Sequence, residues 1–213
     1  MVHDVFQKGL IRGTENLPFD PSKAYFYVEH PTEGWRVYLR SCCFIHEKPS
    51  SSLESNCIDP MRFVVVKKNG APVNSSQWEP PKGQMEGKDG VKNPRTRIMT
   101  LLTENVEREV AEESRIKVLQ GLRHTGMVFE NAEKNYPPNT FFQYHIFQGL
   151  VTTKEWMRAS AELEWYREHP AAFARLKRDK REKDMIQWYS PRETRIMGRW
   201  SAQIVAMYLK QFA

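Results

Sequence analysis

Residues 101–115, LLTENVEREVAEESR, decide how the rest of the chain is read. Leu102, Val106 and Val110 recur at every fourth position, the spacing of a buried stripe, so the segment predicts a helix over Leu101–Arg115. On such a helix Glu109, Glu112 and Glu113 fall within one arc beside the stripe, which gathers three carboxylates instead of spreading them around the cylinder. Arg108 stands one turn before Glu112, in position to pair with it. Three anions on one arc require cations. Oxygen donors favour Mg²⁺ or Mn²⁺ over softer metals, and Mg²⁺ commonly shares its shell with substrate phosphates, so the pattern points to phosphoryl chemistry. The competing reading is a solvated acidic face, which is what most Glu-rich helices present.

Upstream, WEPPKGQMEGKDG (78–90) sets two prolines and three glycines within thirteen residues. That density is incompatible with regular structure and predicts a stiff loop rich in main-chain donors and acceptors, continued through 91–97. Earlier still, the β-branched and aromatic runs of 28–40 and 41–46 predict strands, residues 48–60 a Ser- and Pro-rich surface loop, and 62–67 another strand. Downstream, 126–130 and 140–150 read as strands. Residues 153–168 and 171–183 read as helices split by Pro170, the second of them basic, and 185–189 as a last strand. Ser190-Pro191-Arg192-Glu193 has the form of a capping box and predicts a terminal helix that buries Ile196, Met197, Trp200, Ile204 and Met207. This order of elements predicts an α/β or α+β sandwich.

Gly83 together with REVAEES at 108–114 resembles the signature of the Nudix hydrolases, in which a glycine loop leads to a helix bearing Arg-Glu-x-x-Glu-Glu. The resemblance implies a single domain over residues 1–213, an αβα sandwich with a mixed central sheet and an inserted basic helical segment at about 153–183. It implies that Glu109, Glu112 and Glu113 hold Mg²⁺ or Mn²⁺, helped by the main-chain carbonyl of Lys82 or Gly83. Arg108 is then a structural member of the catalytic set and Lys82 a phosphate contact. Two departures stand out. Arg108 follows Asp89 by nineteen residues where the family has eight, an insertion of eleven, and Ser114 occupies the place of the family's final glycine. The implied reaction is hydrolysis of a diphosphate linkage in a nucleotide, such as a dinucleoside polyphosphate. Glu130, Glu133 and Glu182 are the acids placed to act as base.

WEPPKGQMEG also resembles a stretch shared by diadenosine tetraphosphate hydrolases and messenger RNA decapping members of the family. Capped RNA is therefore an alternative substrate, tracked by the basic segment 175–183, in which Lys177, Arg178, Lys180 and Arg181 would meet backbone phosphates. A diphosphoinositol substrate ranks below both. A catalytically silent nucleotide- or RNA-binding module, or a basic RNA-associated scaffold, is the non-enzymatic alternative. Phe142 and Tyr144 are candidate substrate contacts, with Phe129 and Tyr136 as further aromatics that could stack on a base, although each is a core residue by default. His124 and His145 lack metal-ligand spacing and read as core or loop residues.

Composition bounds these readings loosely. The 213 residues carry 32 Lys+Arg against 26 Asp+Glu, a net charge of +6, which suits an anionic partner and argues against a disordered polyelectrolyte. Cys42, Cys43 and Cys57 form neither a disulfide framework nor a zinc module, which fits a reducing, cytoplasmic or nuclear setting. No apolar run is long enough for a signal peptide core or a membrane span, so no membrane partner is expected. Nothing in the sequence sets the oligomeric state.

Overall fold

The computed structural model describes residues 2–49, 58–72, 77–91, 95–132, 135–198 and 200–213, with the side chains of Asp89 and Val91 left out. Cys57, Glu133 and part of the expected 48–60 loop lie outside the described residues. The elements run β1 (Ile11–Leu17), β2 (Asp20–Glu29), β3 (Arg36–Glu47), β4 (Val64–Lys68), β5 (Trp78–Glu79), β6 (Lys82–Gln84), α1 (Gly87–Val91), α2 (Ile98–Ser114), β7 (Gln120–Ala132), β8 (Thr140–Val151), α3 (Thr153–Glu168), α4 (Pro170–Ala174), β9 (Lys183–Trp188) and α5 (Ser201–Phe212). Strands and helices alternate in a mixed α/β fold. One sheet has the order β1-β2-β3-β8-β7 with β6 also on β3; the other has the order β5-β4-β9.

The larger sheet is mixed. β1, β2 and β3 pair antiparallel, and β6 pairs antiparallel with β3 through Arg40↔Gln84, Ser41↔Gly83 and Cys42↔Lys82. β3 and β8 run the same way: Arg36 N–H donates to Asn139 O (2.9 Å) at one end and Lys48 N–H to Val151 O (2.8 Å) at the other, an equal advance on both strands. No helix of the described residues is long and apolar enough to cross a membrane.

The chain forms two compact units, one of residues 1–42, 82–106 and 124–147, the other of 43–81, 107–123 and 148–213. In the first, Leu17, Tyr25, Tyr38 and Phe142 make a buried cluster, with Phe142 stacked on Tyr38 at 5.1 Å. In the same unit His124 and His145 join a directed chain of hydrogen bonds. Gly126 N–H donates to His124 Nδ1 (3.0 Å), so the neutral ring carries its proton on Nε2 and donates to His145 Nδ1 (3.2 Å). His145 Nε2 then donates to Gln143 Oε1 (3.1 Å), while Gln143 Nε2 donates to Glu130 Oε2 (2.6 Å). Protonating His145 would set one N–H against another. In the second unit Phe44, Phe63 and Tyr208 pack face and edge, and Tyr208 OH also meets His46 Nε2 at 2.7 Å.

Four sequence expectations are corrected here. The 78–97 segment is not wholly loop, because β5, β6 and the short α1 interrupt it. α1 exists because Gly87 and Gly90 let the backbone approach Thr14 and Phe26 more closely than a Cβ would allow. The expected helix over 171–183 ends at Ala174, followed by a 3-10 turn at Arg178–Arg181, and Lys183 already belongs to β9. The terminal helix begins at Ser201, not after Ser190. Glu193 and Thr194 close a turn on Ser190 O, and Gly198 at φ 115° lies outside helical space. Met197 is consequently exposed, and Val205 and Tyr208 join Ile204 on the buried side.

Burial, helped by the neighbouring His124, holds the His145 imidazole down to about 3. Above its unfolded value of about 6.5 both states are neutral; below it only the unfolded chain takes the proton, so stability falls as pH drops toward about 3. Denaturant titrations between pH 7.5 and 4.5 should show this loss, up to about 1.4 kcal/mol per pH unit from this group. His145→Gln should flatten the slope.

Candidate active site

α2 positions the acidic cluster. Leu102, Val106 and Val110 are all fully buried, as their spacing requires, and this fixes the rotation of the helix about its axis. In the second unit the last two turns then place Glu109 and Glu113 next to the buried stripe, with Glu113 only 3% exposed. At the helix end Ser114 Oγ donates back to Val110 O (2.6 Å). Arg115 takes the left-handed conformation (φ 64°) that a glycine commonly supplies one residue past a helix. Its guanidinium holds that strained position by donating to Glu112 O (2.8 Å) and to Lys180 O.

Each cation in the cluster serves two carboxylates. Arg108 Nη2 lies 2.9 Å from Glu109 Oε1, and its Nη1 lies 2.9 Å from Glu112 Oε2. The i,i+4 pairing expected of Arg108 and Glu112 is therefore present. Lys183 Nζ lies 3.2 Å from Glu113 Oε1 and also pairs with Glu79, whose other oxygen accepts from Ser201 Oγ (2.9 Å). Burial pushes the Glu109 carboxyl up to about 8, and Glu113, Glu112 and Glu182 push the same way against the opposing pull of Arg108. Glu182 thus lies within electrostatic reach of Glu109.

With every carboxylate ionised the four carboxylates and two cations would sum to −2, and with Glu109 protonated, as its raised pKa favours near neutral pH, to −1; every donor is an oxygen, which suits a hard divalent cation. The side chains do not form a ready cage. Among the described residues no three His, Cys, Asp or Glu groups converge on a common point, because Arg108 and Lys183 hold the carboxylates in separate pairs.

The other expected site residues lie in the first unit. Lys82 and Gly83 are on β6, where the ladder to β3 fixes their backbone, and Lys82 Nζ sits 6.0 Å from the Tyr144 ring centre. Phe142 and Tyr144 are 2% and 5% exposed, so most of each ring is already covered by protein. Arg40 joins them: it donates to Tyr144 OH (3.0 Å) and Gln84 Oε1 (2.8 Å), and its guanidinium lies 4.4 Å from the Phe142 ring centre. Of the candidate bases, Glu130 is bonded to His3 and Gln143, whereas Glu182 is exposed.

Sequence reasoning missed Lys183, Glu79 and Arg40. The only signal for Lys183 was its place directly before the strand, and the run of Lys and Arg ahead of it masked that signal.

No family model matches the chain, and no curated protein matches it. Among solved structures the chain is similar to the NUDIX domain of Shewanella oneidensis NrtR complexed with ADP ribose, at 9% identity and TM-score 0.47 over 86% of this chain and 94% of that one. It is also similar to a mutT/nudix family protein from Listeria innocua, at 14% identity and TM-score 0.43 over 82% and 91% of the two chains. A NUDIX hydrolase from Nitrosomonas europaea aligns at 12% identity and TM-score 0.41 over 96% and 89%.

Lys183 is only 7% exposed at its side chain and holds two carboxylates. Lys183→Met should therefore cost about 3–5 kcal/mol in a denaturant titration, the range for removing one partner of a buried pair, and adding Glu113→Gln should recover part of the loss.

Proposed function

We propose that the chain is a divalent-metal-dependent hydrolase of the Nudix type, folded as one domain, that cleaves a phosphoanhydride bond in a nucleotide substrate. The observation that carries this reading is the shared pairing on α2, where Glu109 and Glu112 divide Arg108 while Glu113 and Glu79 divide Lys183. A solvated acidic face would leave its carboxylates in water. This one draws them against a buried stripe and retains a net negative charge, which a divalent ion would offset.

In the proposed mechanism Glu109, Glu112 and Glu113 hold Mg²⁺ or Mn²⁺. Bound there, the ion supplies charge neutralisation for the substrate phosphates and polarises a phosphoryl oxygen. The chain does the rest. Arg108 sets the rotamers of Glu109 and Glu112 through its two nitrogens, and Lys183 pairs with Glu113 in its buried position. Glu182, the exposed acid near Glu109, accepts the proton of the attacking water, and the departing phosphate leaves with the displaced electron pair. The parts given to Lys82 and Gly83, and to Phe142 and Tyr144 as substrate contacts, rest on the sequence motif and on their place beside Arg40.

Incubating the protein with diadenosine tetraphosphate, capped RNA and nucleoside diphosphate derivatives, and identifying the products, should show turnover that requires Mg²⁺ or Mn²⁺ and stops in chelator. Glu112→Gln should lower kcat by about 100- to 1,000-fold, the scale of losing one group that stabilises developing charge. Metal-independent binding of these compounds without turnover would replace the enzyme reading with a binding module.

A further inference from the structure

The first unit contains a cavity of about 570 Å³ that none of the chemistry above uses. Four cations, Lys8, Arg12, Arg95 and Arg97, line it, and among the described residues no carboxylate does. A volume of this size is typical of small-molecule sites. Positive charge gathered on one concave wall raises the local concentration of anions.

Arg12 makes the strongest local case. Its Nη2 donates to Thr96 O (2.8 Å), which ties the guanidinium to the wall. Burial alone accounts for the lowered pKa of Arg12, with no acid acting to raise it. The first turn of α2, which also lines the cavity through Ile98 and Met99, carries no acidic residue against the positive end of the helix dipole. Beside these cations the lining includes the apolar Phe6, Leu10 and Met99 and the polar Gln7, and Phe6 is 45% exposed. A bare inorganic anion would leave that apolar surface wet.

We propose that this cavity is a second ligand site that takes a nucleoside diphosphate, with its phosphates on Arg12, Arg97, Arg95 and Lys8 and its base against Phe6. The site is distinct in residues and chemistry from the acidic cluster, since it binds anions through protein cations and needs no metal. It stands whether or not the acidic cluster is catalytic.

The test is calorimetric titration of the protein with ADP in buffer containing EDTA. The wild-type chain binds ADP under these conditions, and its affinity falls as salt rises. Arg97→Gln and Lys8→Gln change exposed residues, so they leave the fold intact, and the pair together weakens ADP by about tenfold or more, the loss expected for charged hydrogen bonds. Arg12→Gln weakens it at least as much. Glu112→Gln, which disables the proposed metal site, leaves ADP affinity in EDTA unchanged. Inorganic pyrophosphate, carrying the phosphates without the base, binds more weakly than ADP. The proposal is overturned if ADP does not bind without metal, if Arg97→Gln with Lys8→Gln leaves the affinity unchanged, or if pyrophosphate binds as tightly as ADP.

Discussion

Two cations shared among four carboxylates, Arg108 between Glu109 and Glu112 and Lys183 between Glu113 and Glu79, form the constraint on which the second unit is arranged. The arrangement is tied to packing. α2 cannot rotate to bring its acids into water without exposing Leu102, Val106 and Val110, so the apolar stripe forces Glu109 and Glu113 toward the interior. β9 answers with Lys183, and the first turn of α5 supplies Ser201 to the far oxygen of Glu79. A helix, a strand end and a helix start are thus held by one charge network. Partial satisfaction is its main property: the groups are paired well enough to fold, yet a negative excess remains. Excess charge of that kind is a recurring feature of functional sites, and a purely structural network would gain by removing it.

The first unit solves a different problem with neutral groups. Its buried polar side chains are strung into a chain from Gly126 through His124, His145 and Gln143 to Glu130, in which each donor meets an acceptor of defined tautomer. The sequence could not show this, because His124 and His145 are twenty-one residues apart and meet only across strands. His145 is fully buried and His124 half-buried, and both rings are bonded within the protein. Glu130 carries the far end of the chain, and its anchoring to His3 and Gln143 suits it less well to a proton-accepting role than the exposed Glu182.

How far the sequence could be read depended on whether a signal was local. The stripe of α2 and the Arg108–Glu112 spacing are properties of one helix, and both are present as expected. β1 escaped notice because most of its residues are exposed, so it lacks the alternation of a half-buried strand. The basic run before β9 has helical composition but lacks an apolar stripe, and without one nothing holds a helix through 175–183. Lys183 was hidden in that run. The capping pattern at Ser190 was real in sequence and local in effect: it closes one turn, and Gly198 ends any continuation. The pairing of Arg40 with Gln84 and Tyr144 depends on strand order, which no single segment encodes.

The account comes down to whether the carboxylates of α2 exchange their protein cations for a divalent one. Diffraction from crystals soaked in Mn²⁺, with anomalous data at the manganese edge, addresses this directly. The account predicts a peak at about 2.0–2.3 Å from oxygens of Glu109, Glu112 and Glu113, with Arg108 withdrawn from at least one of its partners. A map without density there, and with Arg108 and Lys183 still holding all four carboxylates, would contradict it.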